Sequence, residues 1–138
     1  MTKRSRKSGR ASGTILIVEH DHALRMGARR TLESAGYRVL DAADAAAAEQ
    51  IANLFVGPIH MLLIEVEGSG GGPALADRLR SLRPESTVLF MSSRARGELV
   101  KRNDLSPRGP FIQKPFKAGE LVVKVRHALS AAGRADES

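Results

Sequence analysis

The 138-residue chain contains no cysteine and no tryptophan, and aromatic residues make up only 4% of it. The missing thiols exclude a disulfide framework, thiolate-ligated zinc and a cysteine nucleophile. Long apolar runs are also missing: the longest are Ile15–Val18 and Met61–Ile64, whereas a membrane-spanning helix needs about 20 such residues. The charged start is not followed by an apolar segment, which argues against a secretory signal. We therefore expect a cytoplasmic protein with no membrane segment.

Positive charge is concentrated at the start of the chain. The formal net charge is +7, from 22 Lys and Arg against 15 Asp and Glu. Five of the cations precede Thr14, where there is no acid, so residues 14–138 carry a net charge of +2. Such a polar, charged segment is typical of disorder. The composition predicts a disordered basic tail over residues 1–13, a single domain over 14–131 and a flexible C-terminal tail over 132–138.

Short apolar runs alternate with amphipathic stretches along the domain. Ile15–Val18, Met61–Ile64 and Val88–Met91 are apolar at every position, a pattern typical of strands covered on both faces. Tyr37–Leu40 and Phe111–Ile112 are weaker and predict strands at or near the edges. A helix-spaced apolar pattern follows each of the five runs. Strands that alternate with helices predict an α/β fold, a doubly wound parallel sheet with helices on both faces.

The ends of the predicted helices carry recognisable signals. Asp21 and Asp44 are candidate N-caps of the first two helices, and Gly36 is expected to end the first. The third helix is expected to begin near Pro73 and to stop before Pro84. The fourth helix is predicted over residues 95–104, and the glycine run at residues 70–72 is predicted to be a mobile loop.

Polar side chains follow the predicted strands where each strand ends. Glu19 and His20 follow the first strand, Glu65 the third, Ser92 the fourth and Lys114 the fifth. Ligands of an open parallel sheet bind at the carboxyl ends of its strands. These side chains are therefore expected to meet at one edge of the sheet and to form a functional site.

The sequence around these positions resembles the receiver domain of two-component response regulators over about residues 14–131. The matching segments are residues 15–21, 36–39, 61–66, 88–93 and 111–116. The long loop before Phe111 is similar to receivers attached to hybrid sensor kinases. The resemblance implies a flavodoxin-like sheet of order 2-1-3-4-5. It also implies a histidine kinase or a downstream regulator as the protein partner.

The family also implies a role for each position. Receivers accept a phosphoryl group on an Asp that ends the third strand, and an acidic pair after the first strand helps to hold Mg²⁺. Their remaining conserved contacts are a hydroxyl, a lysine in a Lys-Pro bond that is usually cis, and an aromatic that changes rotamer. In this chain the phosphoacceptor position is Glu65, the acidic-pair positions are Glu19 and His20, and the switch and phosphate-contact positions are Ser92, Lys114 and Phe111.

Two of these positions depart from the family pattern. Glu65 is one methylene longer than Asp, which moves its carboxylate by about 1.5 Å, and His20 places a nitrogen where Mg²⁺ prefers oxygen. We expect no resident metal, weak or absent Mg²⁺ binding and no phosphorylation of Glu65. A Glu65–Lys114 ion pair, reaching toward Ser92, is expected to bias Ser92 and Phe111 toward one state. The chain would then be a stand-alone, phosphorylation-independent interaction module.

Two other functions compete with this one. The first is a working phosphoacceptor receiver that takes phosphate from a sensor histidine kinase. The second is a small nucleic-acid-associated protein that binds through its basic tail, which the lack of interleaved aromatics disfavours.

The sequence suggests no nucleophile–base pair, so an enzyme is not expected. A metal group of His20, Asp21 and His22 matches no established ligand spacing. The fourth and fifth helices are a candidate surface for homodimerisation or docking, and that side is basic: Arg94, Arg96, Lys101, Arg102, Lys124 and Arg126.

Overall fold

Five parallel strands form one sheet of order β2-β1-β3-β4-β5, as expected from the resemblance. The computed structural model describes the backbone of residues 12–68 and 71–137 and the side chains of residues 12–68 and 71–133. The two weaker predicted strands lie at the two edges of the sheet. The elements are β1 (Thr14–Val18), α1 (His22–Ser34), β2 (Arg38–Ala42), α2 (Ala45–Leu54), β3 (Met61–Glu65), α3 (Gly72–Leu82), β4 (Thr87–Ser92), α4 (Arg96–Lys101), β5 (Phe111–Gln113) and α5 (Ala118–Glu137).

Two apolar layers cover the two faces of the sheet. Alternate residues of a strand point to opposite faces, so Ile15 and Ile17 pack under α1 and α5, whereas Leu16 and Val18 pack under α2 and α3. Each of these strand residues is at most 4% exposed. This double coverage is why the central strands are apolar at every position. It also fixes the strand ends, and therefore the site, at one edge of a rigid sheet.

Helix starts follow the predicted capping chemistry. The carboxylate of Asp21 accepts a hydrogen bond from the Leu24 amide at 3.0 Å, and that of Asp44 accepts one from Ala47 at 2.9 Å. Each cap satisfies an amide that has no partner within its helix. Helix α1 ends at Ser34, and Gly36 beyond it has a φ of 112°, a conformation that favours glycine.

Several predicted boundaries need correction. Helix α4 is shorter than predicted and stops at Lys101, before Asn103, which adopts a left-handed φ of 63°. Helix α5 continues to Glu137, so the backbone of residues 132–137, which were predicted to form a flexible tail, is helical. Of the glycine run predicted to be mobile, Gly72 is buried and begins α3, whereas Gly70 lies outside the described residues. The basic tail lies outside the described residues except for residues 12 and 13, and Gly13 already accepts a hydrogen bond from Arg38.

No helix within the described residues is long and apolar enough to cross a membrane.

Candidate functional site

The carboxyl edge of the sheet brings most of the predicted site residues together. Strands β1, β3, β4 and β5 are parallel neighbours, so the residues at their ends share one edge. The side chains of His20 and Lys114 each contact both Glu19 and Glu65 there, at distances of 2.7–3.7 Å. Ser92 lies at the same edge, where its carbonyl accepts a hydrogen bond from the Lys114 amide at 2.8 Å, but its hydroxyl contacts other residues, described below.

Glu65 turns toward His20. Its carboxylate is buried, and Oε2 accepts a hydrogen bond from the His20 amide at 2.8 Å. Both carboxylate oxygens also lie 2.8 Å from His20 Nδ1. A carboxylate only accepts, so Nδ1 must carry the proton. The hydrogen bond and the charge of Glu65 raise the pKa of His20 above its ordinary value. His20 itself is largely exposed and forms the outer wall of the site.

Lys114 pairs with Glu19 more closely than with Glu65. Its Nζ lies 2.7 Å from Glu19 Oε1 and 3.7 Å from Glu65 Oε1. Glu19 is fully buried, and its second oxygen accepts a hydrogen bond from the Asp21 amide at 3.1 Å. Burial raises the pKa of Glu19, and the Lys114 ammonium opposes that rise. The predicted Glu65–Lys114 pair therefore exists only as the longer of two contacts, because Glu65 is held by His20.

Ser92 is bonded to a residue that sequence analysis missed. The buried Ser92 hydroxyl donates a hydrogen bond to the Glu67 carboxylate and accepts one from the Arg94 amide at 2.9 Å. The Arg94 guanidinium lies 3.8 Å from Glu67, and it also pairs with Glu98. The predicted reach of Glu65 to Ser92 is therefore wrong. The available signal was the position of Glu67, two residues beyond the end of β3.

Glycine provides the room for the longer side chain at position 65. A Cβ atom added to Gly68 would lie 2.8 Å from Glu65 Oε2, well inside contact distance. The carboxylate therefore rests directly against the backbone of the loop after β3. The glycine-rich sequence after Glu67 was the signal for this close approach.

Phe111 and the Lys114–Pro115 bond complete the set of predicted positions. Phe111 is buried at the start of β5 in a small apolar cluster with Val66, Leu99 and Leu105, against which Phe90 also packs. The Lys114–Pro115 peptide bond is cis, as the resemblance implied.

One group of three ligand-type residues is found within the described part of the chain. Glu19, His20 and Glu65 each offer one atom, and these atoms lie within 4.8 Å of one another. The alternative group with Asp21 and His22 does not form, because Asp21 caps α1 and His22 contacts the Arg25 guanidinium at 3.2 Å.

Comparison with known proteins agrees with this architecture. The sequence model of the response regulator receiver domain matches residues 15–126. The chain is 31% identical over 119 residues to the sensor kinase CckA of Brucella abortus, covering 86% of this chain but only 13% of that kinase. It is 29% identical to the response regulator receiver protein CpdR of the same organism, covering 86% of this chain and 98% of that protein.

Solved structures give the same result. The receiver domain of a hybrid histidine kinase CckA has 33% identity and a TM-score of 0.70, with 85% of this chain and 99% of that chain covered. A CheY-like receiver domain protein from Methanospirillum hungatei shares the fold at 22% identity, with a TM-score of 0.74 and coverage of 91% and 99%. The chain therefore belongs to the response regulator receiver domain family of two-component signalling.

Proposed function

We propose that this receiver domain does not accept a phosphoryl group at Glu65 and acts as a phosphorylation-independent, non-enzymatic interaction module. The observation that carries the proposal is the paired state of the site. Each side chain that would face a phosphoryl group already contacts another residue of the chain. Glu65 is held by His20, Lys114 by Glu19, and Ser92 by Glu67. Phosphorylation would have to break these contacts before it formed any new ones.

The position of Glu65 also argues against transfer. Phosphoryl transfer depends on placing the attacking oxygen in line with the leaving group, and a misplacement of about 1 Å can cost about 100-fold in rate. Both oxygens of Glu65 are directed to His20 Nδ1 at 2.8 Å. A nucleophilic oxygen would first have to give up that contact.

The donor set supports weak or absent Mg²⁺ binding. Mg²⁺ favours six oxygen ligands in octahedral geometry, whereas Glu19, His20 and Glu65 offer one nitrogen among their three ligand atoms. The Lys114 ammonium lies 2.7 Å from Glu19 Oε1, so a positive charge already neutralises that carboxylate. These residues fit Mg²⁺ poorly, and no step of the proposed function uses a metal.

The partner is proposed from the family. A receiver domain of this kind would engage a histidine kinase or a downstream regulator of a two-component pathway. Two of its relatives are named as a sensor kinase and as a receiver protein. No contact among the described residues favours the nucleic-acid alternative, which rested on the basic tail.

The test is incubation with acetyl phosphate and Mg²⁺, followed by intact-mass measurement. The parent is expected to gain no phosphoryl mass. A double variant, Glu65→Asp with His20→Asp, restores both family residues and is expected to become labelled on residue 65.

A second variant, Glu65→Gln, keeps the side-chain length and removes the carboxylate, so it controls for labelling elsewhere on the chain. Labelling of the parent that is lost in Glu65→Gln would overturn the proposal and favour the working phosphoacceptor. An unlabelled parent beside a labelled double variant would support it.

A further inference from the structure

A cavity of 220 Å³ lies at the amino end of β5, away from the site at the carboxyl edge. Its apolar floor is formed by Leu89, Pro110 and Phe111. Its basic side chains come from three elements: Arg96 begins α4, Arg108 lies in the loop before β5, and Lys124 and His127 lie on α5. No carboxylate lines this cavity among the residues that the structure describes.

Arg96 is fixed in place at this cavity. Its Nη1 group donates hydrogen bonds to the carbonyls of Pro107 at 3.1 Å and Gly109 at 2.9 Å. Its guanidinium also lies 5.5 Å from the centre of the Phe111 ring, within the range of a cation–π contact. Both Nη1 protons are used by the two carbonyl hydrogen bonds. Within the described structure the other three guanidinium N–H groups have no partner, so they are available to an acceptor.

The other three basic groups have no partner within the described part of the chain. Lys124 and His127 are three residues apart on α5 and therefore share a face, and both are exposed, as is Arg108. By contrast, Arg94 and Arg102, two other cations on this side of the molecule, are paired with Glu98 and Asp104. The positive charge of the cavity is thus uncompensated by any contact among the residues that the structure describes.

We propose that this cavity binds a small organic phosphate ester. A phosphate monoester carries a charge of about −1.5 to −2 near neutral pH and several strong acceptor oxygens. It therefore matches a group of three cations, Arg96, Arg108 and Lys124, better than a ligand with a single carboxylate would. Arginine binds phosphate through paired N–H donors. The apolar floor would hold the ring or alkyl group that carries the phosphate.

The cavity is open to solvent, and its volume of 220 Å³ is below the roughly 300–1,000 Å³ of typical small-molecule pockets. The ligand proposed for it is therefore a small one. The inference does not depend on the proposed function, because the cavity shares no residue with Glu19, His20, Glu65 or Lys114.

The test uses phenyl phosphate as the probe and amide-resolved NMR of the full chain as the readout. Shifts are expected at Leu89, Phe111 and Lys124. Binding is expected to be at least about tenfold tighter than for inorganic phosphate, which lacks the ring, and than for benzyl alcohol, which lacks the charge. The double variant Arg108→Gln/Lys124→Gln removes two cations from the cavity and is expected to weaken binding by about tenfold or more.

A matched variant, Arg30→Gln/Lys101→Gln, removes the same charge from exposed positions outside the cavity. It is expected to change the affinity for phenyl phosphate less than twofold. Equal weakening by both double variants would overturn the proposal, because binding would then follow net charge alone. Shifts confined to Ser92 and Lys114, or no shifts at all, would also overturn it.

Discussion

The pairing of His20 with Glu65 is the feature that most distinguishes this site at the scale of single residues. It gives an imidazole a buried carboxylate at 2.8 Å and raises the pKa of His20 above 6.5. A raised pKa in the folded state means that the charged pair stabilises the fold. This contribution to stability is fully present below the pKa that His20 has in the unfolded chain. It is lost as the pH rises through the pKa that His20 has in the folded protein.

We expect the substitution Glu65→Gln to remove this effect. The pKa of His20 should fall back toward its ordinary value, since both the hydrogen bond to the charged carboxylate and its Coulomb attraction are lost. NMR titration of the His20 ring protons in the parent and the variant measures the difference. The ring signals of His127, on α5, should be the same in both proteins. Equal His20 titration curves would show that Glu65 does not control this imidazole.

Sequence analysis predicted most of the residues that reach the site, but it missed Glu67 and did not predict how the residues pair. Glu19, Glu65, Ser92 and Lys114 lie at one edge because each stands at the carboxyl end of its strand, and these ends meet at the same edge of a parallel sheet. The direction of a Glu side chain depends on rotamers and on local room, which here comes from Gly68. The bond from Ser92 to Glu67 likewise depends on the path of the loop after β3. The pattern of apolar residues predicts neither the direction of the Glu65 side chain nor the path of this loop.

At the scale of helices and strands, the first residue of α3 determines how closely this helix packs against the end of β3. A Cβ atom added to Gly72 would lie 2.5 Å from the carbonyl oxygen of Glu65 and 2.7 Å from Val66 Cα. Both are backbone atoms of the segment that carries the site, so they cannot rotate away as a side chain would. The sequence showed a glycine run here, but not which of its members is packed against backbone.

Gly72→Ala is therefore expected to lower the free energy of unfolding by about 1–3 kcal/mol, the usual cost of overpacking. Gly27→Ala in α1 is the matched control, because nothing lies within 4 Å of its added Cβ. That change should instead stabilise the protein by about 0.5–1 kcal/mol, since alanine favours a helix. Urea unfolding of both variants measures the two effects. A Gly72→Ala protein as stable as the parent would contradict the tight packing described for α3.

The architecture of the whole molecule was the easiest part to predict. Apolar residues at every position of Ile15–Val18 and Met61–Ile64 indicated buried parallel strands, and both lie in the centre of the sheet with helices on each face. Helix ends were less certain, as α4 and α5 show, because the free energy of adding one turn is small. The fold therefore follows from a long repeated pattern, whereas the site depends on a few contacts.

At the scale of the whole molecule, the change in Tm on adding Mg²⁺ reports whether the site binds the ion. A ligand that binds only the folded state stabilises it by an amount set by its concentration and its Kd. For a Kd of about 1 mM, about 10 mM Mg²⁺ would add about 1.4 kcal/mol, or about 3–6 °C in Tm for a domain of this size. The Lys114–Glu19 pair and the His20 nitrogen argue that the parent gains much less than this.

We expect the Tm of the parent to be the same in 10 mM MgCl₂ and in NaCl of equal ionic strength. The Tm of the double variant His20→Asp/Glu65→Asp should rise by several degrees in MgCl₂ but not in NaCl. The salt control is needed because a domain with uncompensated cations responds to ionic strength through screening alone. Differential scanning calorimetry gives both values. A Mg²⁺-specific rise in the Tm of the parent would contradict this prediction. It would mean that Mg²⁺ displaces the Lys114 ammonium from Glu19 and binds at the site. A flat response in both proteins would instead place the obstacle outside positions 20 and 65, with Lys114 and the loop around Gly68 as the next elements to vary.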